Sequence, residues 1–338
     1  MRDTAARPVV LMLPGQGAQY ARMGAGLYGT DSGFTAALDR LFEAYATAGG
    51  DAERLRAVWL AADPADAPAG AIHESAYSQP LLFAVGYALG EALRAYGVVP
   101  HALLGHSVGE FAAAGLAGVF DVAAAGHLLA SRGEALAAIG PGGMVAVAAS
   151  ARELAPYTGT EVVVGAVNGP RQSVLAGARG PLAEAASRLR KDGLVCRAVA
   201  GDLPFHSPAA AEGARVFREA FAGIELRLPS VLVQSTATGR PVGAEDALRP
   251  AFWADQIAAP VLFWPALDAL LSTGDFTLVE AGPGQQLVGW AKRHRAVRSG
   301  ASTTLPLLPP QPGPADRDRA VFDAAVAALS ADGVAKAG

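Results

Sequence analysis

A single cysteine, Cys196, stands in a chain of 338 residues. No intramolecular disulfide can form, and a zinc site built on several cysteines is excluded. A reducing, cytoplasmic setting fits. Charge is also sparse: Asp, Glu, Lys and Arg make up 17% of the chain, with a net charge of -4. That balance gives no general attraction to nucleic acid or to an anionic membrane, so an acidic partner must find a local basic cluster. No apolar run reaches the length of a membrane span. The first, Val9 to Leu13, is too short even for the core of a signal peptide. The longer ones, Pro80 to Leu93 and Val108 to Leu129, are broken by Gly, Glu, Arg, Asp or His and read as buried helices. A soluble protein is expected, and no internal repeat is present.

What the chain does have is apolar mass. At 51% hydrophobic residues it sits far from the composition of disordered chains. Its length supports one large domain or two intimate ones. Alanine and glycine are abundant, which predicts close contacts between helices. Three runs read as buried parallel strands, each followed by a glycine-rich turn and a helical stretch: Val9 to Leu13, Ala102 to Leu104 and Phe276 to Val279. Gln79 to Tyr96 has helical spacing and ends at Gly97, with Pro100 beyond. This is an α/β pattern.

From Gly142 the texture changes. Strand-like and helical segments alternate over about sixty residues, including a helix from Pro181 to Lys191, which predicts a small α+β subdomain inserted into the larger one. The two meet near Gly201 to Ser207, and a cleft at such a junction is a favoured binding site. A proline-rich tract after Arg298 is expected to run extended over the surface, followed by a last helix from Asp316 to Leu329. The expected organisation is a large part from residues 1–140 and 206–300, a small part from 141–205, and a tail from 301–338.

The strongest local chemical signal is Gly105-His106-Ser107-Val108-Gly109, between a short apolar strand and a helix starting near Glu110. Its glycines permit a sharp turn that lifts the serine hydroxyl above a sheet. The helix N-terminus beside it supplies N–H groups for a developing oxyanion. A second signal, Pro14-Gly15-Gln16-Gly17-Ala18-Gln19, follows the first strand, and its glycines let backbone N–H groups approach a ligand. It lacks the lysine and spacing of a phosphate-binding loop.

Together these motifs resemble the malonyl-CoA:acyl-carrier-protein transacylase family, including the acyltransferase domains of polyketide synthases. The matching pieces are LPGQGAQ at 13–19, ESAYSQPLLF at 74–83, GHSVGE at 105–110, LLASRG at 128–133, AVNGP at 166–170, PFHS at 204–207, DQIAAPV at 255–261 and EAGPGQ at 280–285. They occur in the family's order. The resemblance implies a large α/β-hydrolase-like parallel-sheet subdomain with an inserted ferredoxin-like α+β subdomain. It makes Ser107 the nucleophile, His206 the general base, the N–H groups of Gln16 and Val108 the oxyanion hole, and the main-chain carbonyl of Gln256 the group that orients the imidazole. Gln79 would line the substrate site. A Ser-His pair suffices on an activated thioester, where an anionic third member is less needed.

Arg132, twenty-five residues after the serine, holds the position at which this family places a guanidinium for the free carboxylate of malonyl groups, whose geometry its fork matches. Phe205 and Val108 resemble the malonyl-selective subgroup, where a ring beside the α-carbon leaves little room for a branch. Leu203-Pro204 departs from that subgroup, which puts the acyl pocket in question. His106 is expected to pack beside the elbow. His73, His101, His127 and His294 read as surface or core residues, Cys196 as a small buried hydrophobe, and Trp253, Phe263 and Trp264 as core aromatics.

The implied reaction takes an acyl group, malonyl by preference, from a coenzyme A thioester onto Ser107 and passes it to the phosphopantetheine thiol of an acyl carrier protein, in polyketide or fatty acid biosynthesis. No bound cofactor or metal is implied. A discrete monomeric enzyme or an excised domain is expected, because no ketosynthase precedes the first strand. Lys292, Arg293, Arg295 and Arg298 form the densest basic run and the first candidate for carrier docking; Arg188, Arg190 and Lys191 form the second. Three rival readings stand beside this one. They are an editing or α/β-hydrolase activity, transfer of a larger acyl or aminoacyl group between two carrier proteins, and a docking module that has lost catalysis.

Overall fold

The computed structural model describes residues 6–61 and 70–335; residues 1–5 and 336–338, the ends of the two outermost expected segments, lie outside them. Five parallel strands, β1 (Val9–Leu13), β2 (Ala102–Gly105), β7 (Leu232–Gln234), β8 (Thr277–Glu280) and β9 (Thr303–Pro306), form one sheet in the order β7-β2-β1-β8-β9. At its centre β1 pairs Val10 with Ala102 on one side and Val9 with Thr277 on the other. All five β1 residues are buried, and they alternate. Val9, Leu11 and Leu13 face one apolar cluster while Val10 and Met12 face another. That is why the run is apolar throughout: helices cover both faces of a parallel sheet.

The second sheet is antiparallel and comes from β3 (Gly142–Val147), β4 (Val162–Gly169), β5 (Gln172–Ala178) and β6 (Cys196–Ala198), in the order β4-β5-β3-β6. Short and long helices, Ala151–Leu154 and Arg179–Lys191, follow β3 and β5. The chain order β-α-β-β-α-β with this pairing is the ferredoxin-like arrangement. The small sheet is stitched to the segment before the helix Phe263–Leu271, outside both sheets, where Val167 N–H donates to Val261 O and Val261 N–H to Gly165 O, each at 2.8 Å. β4 shifts register at Val164/Ala166, beside that stitch; such a bulge frees backbone groups to pair elsewhere.

The expected strands and small subdomain are present. Two strands of the large sheet were not legible. β7 is three residues long and starts at the exposed Leu232. β9 lies in the segment expected as a surface tail, and here the expectation is corrected. β9 closes the sheet edge against β8, and the leucines that follow it, Leu307 and Leu308, are fully buried. Phe322 and Leu329 of the last helix, Ala315–Ala331, are buried with them. Proline is tolerated because β9 is an edge strand, with Pro306 at its end. No helix of the described residues is long and apolar enough to cross a membrane.

Ending the chain after Gly300 would remove β9 together with Leu307, Leu308, Phe322 and Leu329. Each large buried side chain stabilises by about 2–5 kcal/mol, and the loss exceeds the roughly 5–15 kcal/mol that holds a domain together. The truncated chain is expected to lose its cooperative thermal transition and its near-UV circular dichroism. A cooperative melt near that of the full chain would show the segment to be dispensable.

Candidate active site

β2 ends at the elbow. Ser107 takes φ 55° and ψ -123°, a strained conformation that costs on the order of 1–3 kcal/mol, and the helix Val108–Leu116 starts directly after it. The flanking glycines are sterically required. A Cβ on Gly105 would lie 2.1 Å from Glu110 Cα, and one on Gly109 would lie 2.0 Å from the carbonyl oxygen of Leu13. The elbow is thereby pressed against the end of β1, whose loop Pro14–Gly17 lies alongside Ser107 at the same cavity. The N–H groups at the start of that helix differ in their partners. Those of Gly109 and Glu110 bond to His106 O and Ser107 O at 3.0 and 2.8 Å, whereas no bond within the described residues takes the N–H of Val108 or Gln16.

Ser107 Oγ lies 2.8 Å from Nε2 of His206. Nδ1 of His206 lies 2.8 Å from the carbonyl of Ala259, which can only accept, so Nδ1 carries the proton and Nε2 is the acceptor for the serine hydroxyl. The main-chain N–H of His206 donates to Ile257 O at 2.8 Å. The expectation for Gln256 is therefore corrected. The principal orienting carbonyl belongs to Ala259, three residues further on; the Gln256 main chain makes only a lesser contribution. The Gln256 side chain instead donates to Glu110 Oε1 at 3.0 Å. Burial drives the His206 imidazole down to about 4, with His106 and Arg132 nearby adding to the effect against the Ala259 bond. At neutral pH it is an uncharged base.

Arg132, on the helix Val122–Ala137 capped by Asp121, is only 7% exposed. Its Nε donates to Gln79 Oε1 at 2.5 Å and its guanidinium lies 4.9 Å from the ring centre of Phe217. No carboxylate pairs with it among the described residues. Burial lowers its pKa to about 10, so it stays protonated at neutral pH. Gln79 in turn donates from Nε2 to Gln16 Oε1 at 3.1 Å, so the arginine and the loop after β1 share one chain of side chains. Burying an unpaired cation is costly.

Phe205 is buried and lines the same cavity as Ser107 and His206, about 460 Å³ in volume, between the two sheets. The small sheet contributes Asn168 and Arg197, and the helix Gln286–Ala291 contributes Trp290. His106 is a support, as expected: its Nε2 lies 2.9 Å from Asn168 Oδ1 and its ring packs on Trp290. Lys292, Arg293, Arg295 and Arg298 are exposed just beyond Trp290, and Arg293 reaches back to Gln172 Oε1 at 2.6 Å. In the second basic group Arg188 is occupied with Pro156 O and the ring of Tyr157. Cys196 is only partly buried. His73 touches Gln19 and His294 touches Asp268, away from any cluster of ligands. Sequence reading missed Ala259, since a main-chain carbonyl leaves no mark on residue type, and it read Glu110 only as the start of a helix.

A serine on a strand-to-helix elbow, above the carboxyl ends of a parallel sheet, defines the broad class of folds that handle acyl groups through a serine. The chain belongs to the acyl transferase domain family, which matches it over residues 10–313. It is 34% identical over 336 residues to mycoketide-CoA synthase of Mycobacterium tuberculosis, a match covering 97% of this chain and 8% of that protein. Polyketide synthase GfsA of Streptomyces halstedii is 36% identical over 286 residues, covering 81% of this chain and 4% of that one. The chain thus spans only a small part of the length of these relatives. The solved acyltransferase domain of SpnD in complex with 2-(pent-4-yn-1-yl)malonyl superposes with a TM-score of 0.86 at 29% identity, covering 97% of this chain and 77% of that one. Malonyl-CoA:acyl carrier protein transacylase of Xanthomonas oryzae pv. oryzae gives 0.78 at 27% identity, covering 96% and 99%.

The pH behaviour of the site follows from burial. His106 and His206 are both held near 4, below the ordinary 6.5. Their depressed values favour the folded state above about pH 6.5, and that contribution falls away as pH drops through 4. Resolved imidazole resonances for both are expected to stay in the neutral form at pH 5.5 and to titrate near 4. A His206 midpoint near 6.5 would contradict the burial of its imidazole.

Proposed function

We propose that this acyltransferase carries a malonyl group from coenzyme A to the phosphopantetheine thiol of an acyl carrier protein through an ester on Ser107, in polyketide or fatty acid biosynthesis. The observation that carries the reading is Ser107 Oγ 2.8 Å from a neutral His206, together with a buried guanidinium that is joined through Gln79 to Gln16 on the cavity wall and that no carboxylate pairs among the described residues. As Oγ attacks the thioester carbonyl, its proton passes to Nε2 of His206. The oxyanion takes the N–H groups of Val108 and Gln16, the C–S bond breaks, and coenzyme A leaves with the proton from His206. The carrier thiol then gives its proton to His206 and attacks the ester carbonyl; the C–Oγ bond breaks and Ser107 Oγ takes the proton back from His206. Ala259 supplies only a dipole, which is adequate for a leaving group as good as a thiolate.

The acyl specificity rests on Arg132. Its Nε is fixed by Gln79 and its face by Phe217, so the remaining guanidinium edge offers a bidentate seat for a carboxylate. Two of the similar proteins carry malonyl in what they are described as binding or acting on. A retained buried arginine argues against the editing hydrolase, which would have no carboxylate to hold. Phe205 would limit the α-carbon to small substituents, with about 1–3 kcal/mol at stake for one methyl. The exposed run Lys292, Arg293, Arg295 and Arg298, beside the cavity wall at Trp290, is the surface we assign to the acidic carrier.

Arg132→Ala removes the carboxylate partner and leaves Ser107, His206 and the oxyanion donors in place. Malonyl loading from coenzyme A is expected to fall by about 10- to 100-fold, the worth of charge-assisted hydrogen bonds, while acetyl loading holds or rises. Equal losses for the two donors would make Arg132 a structural residue and remove the dicarboxylate reading.

A further inference from the structure

Glu110 is a buried carboxylate that the reaction does not use. Only 1% of its surface is exposed, and it lies one turn beyond the nucleophile, with its N–H on Ser107 O at 2.8 Å. Its Oε2 accepts from Thr236 N–H at 2.7 Å and from Thr236 Oγ–H at 2.6 Å, and its Oε1 accepts from Gln256 Nε2 at 3.0 Å. Every one of these partners is a donor. Burial raises the Glu110 pKa, and this shell of donors works against that rise. Thr236 has a second bond, from Leu262 N–H to its carbonyl at 2.6 Å.

The segment from Gln256 to Leu262 is therefore fastened at both ends to one side chain, at Gln256 directly and at Leu262 through Thr236. Between those ends lie Ile257 and Ala259, whose carbonyls hold the main-chain N–H and the Nδ1–H of His206. We propose that Glu110 is a positioning residue which fixes the distance between nucleophile and base, by clamping the histidine's carbonyl cradle to the helix that starts at Ser107. The proposal rests on the reading of Ser107 and His206 as the acyl-transfer pair. Glu110 touches neither substrate nor reacting atoms. Where many serine enzymes put a carboxylate on the histidine itself, this chain spends its buried carboxylate one step back, on the backbone that carries the orienting carbonyl.

Glu110→Gln keeps the shape but leaves one acceptor oxygen where there were two, so the bonds to Thr236 and to Gln256 cannot both stand as they are. The rate of acyl-serine formation at saturating malonyl-CoA is expected to fall by about 10- to 100-fold, the scale of a misplacement approaching 1 Å, with KM for the donor within about twofold. The downfield Nδ1–H resonance of His206 in the free enzyme should shift or broaden. Gln256→Leu releases only one end of the segment and should give a smaller loss of the same kind. Added to Glu110→Gln, it should give a loss smaller than the sum of the two separate losses, because both changes act on one linkage. If Glu110→Gln does not fold, Gln256→Leu and Thr236→Val carry the test by the same two readouts. A wild-type rate with an unmoved His206 resonance in the folded variants would overturn the proposal. So would a lowered melting temperature alone, or additive losses in the double variant. Wild-type enzyme that forms no Ser107 adduct would sink the acyl-transfer reading instead, and the resonance would still report on the clamp.

Discussion

The hydrogen bond between Ser107 Oγ and His206 Nε2 joins residues 99 positions apart in the chain, and both of its ends are held by backbone that the side chains cannot adjust. On one side, the elbow is wedged between Gly105 and Gly109 against the end of β1. On the other, His206 itself adopts φ 61° with its N–H and Nδ1–H on the carbonyls of Ile257 and Ala259. A shift of either support changes the 2.8 Å separation directly. The parallel sheet supplies the first support and the junction with the small sheet supplies the second, so the two-part fold is a device for bringing two strained residues face to face.

Desolvation shapes the chemistry of the same site. It removes the charge from His206 and His106, leaves Arg132 charged but without a carboxylate partner among the described residues, and raises the Glu110 pKa against the pull of a shell of donors. Three kinds of ionisable group near the elbow thus have three different fates, set by what each can bond. The neutral histidine can take a proton, and the arginine can take an anion. The side-chain chain from Arg132 through Gln79 to Gln16 joins the proposed anion seat to the proposed oxyanion loop, an arrangement that would suit a substrate carrying a carboxylate at one end and a reactive carbonyl at the other.

Much of this was legible in residue types. β1 and β2 announce themselves as apolar runs before glycine turns, the elbow as a glycine-flanked serine, and the small subdomain as a change of texture at Gly142. What escaped were features with no compositional mark. β9 looks like a surface tract because Thr, Pro and Ser dominate its neighbourhood, yet Leu307 and Leu308 behind it are core. β7 is too short to show a period. The orienting carbonyl was placed at Gln256 by resemblance and belongs chiefly to Ala259, because a main-chain oxygen is available at any residue and only the fold selects one. Glu110 stood in plain view within GHSVGE, but its partners Thr236 and Gln256 lie far along the chain and only packing joins them.

Acyl transfer through Ser107 requires a covalent intermediate. Rapid-quench intact-mass spectrometry of the protein mixed with malonyl-CoA, with peptide mapping of the product, measures it directly. A burst of free coenzyme A stoichiometric with enzyme, and a malonyl adduct confined to Ser107 that is discharged on addition of a carrier protein thiol, is the predicted result. Coenzyme A release without a burst, or an adduct on any other residue, would contradict it.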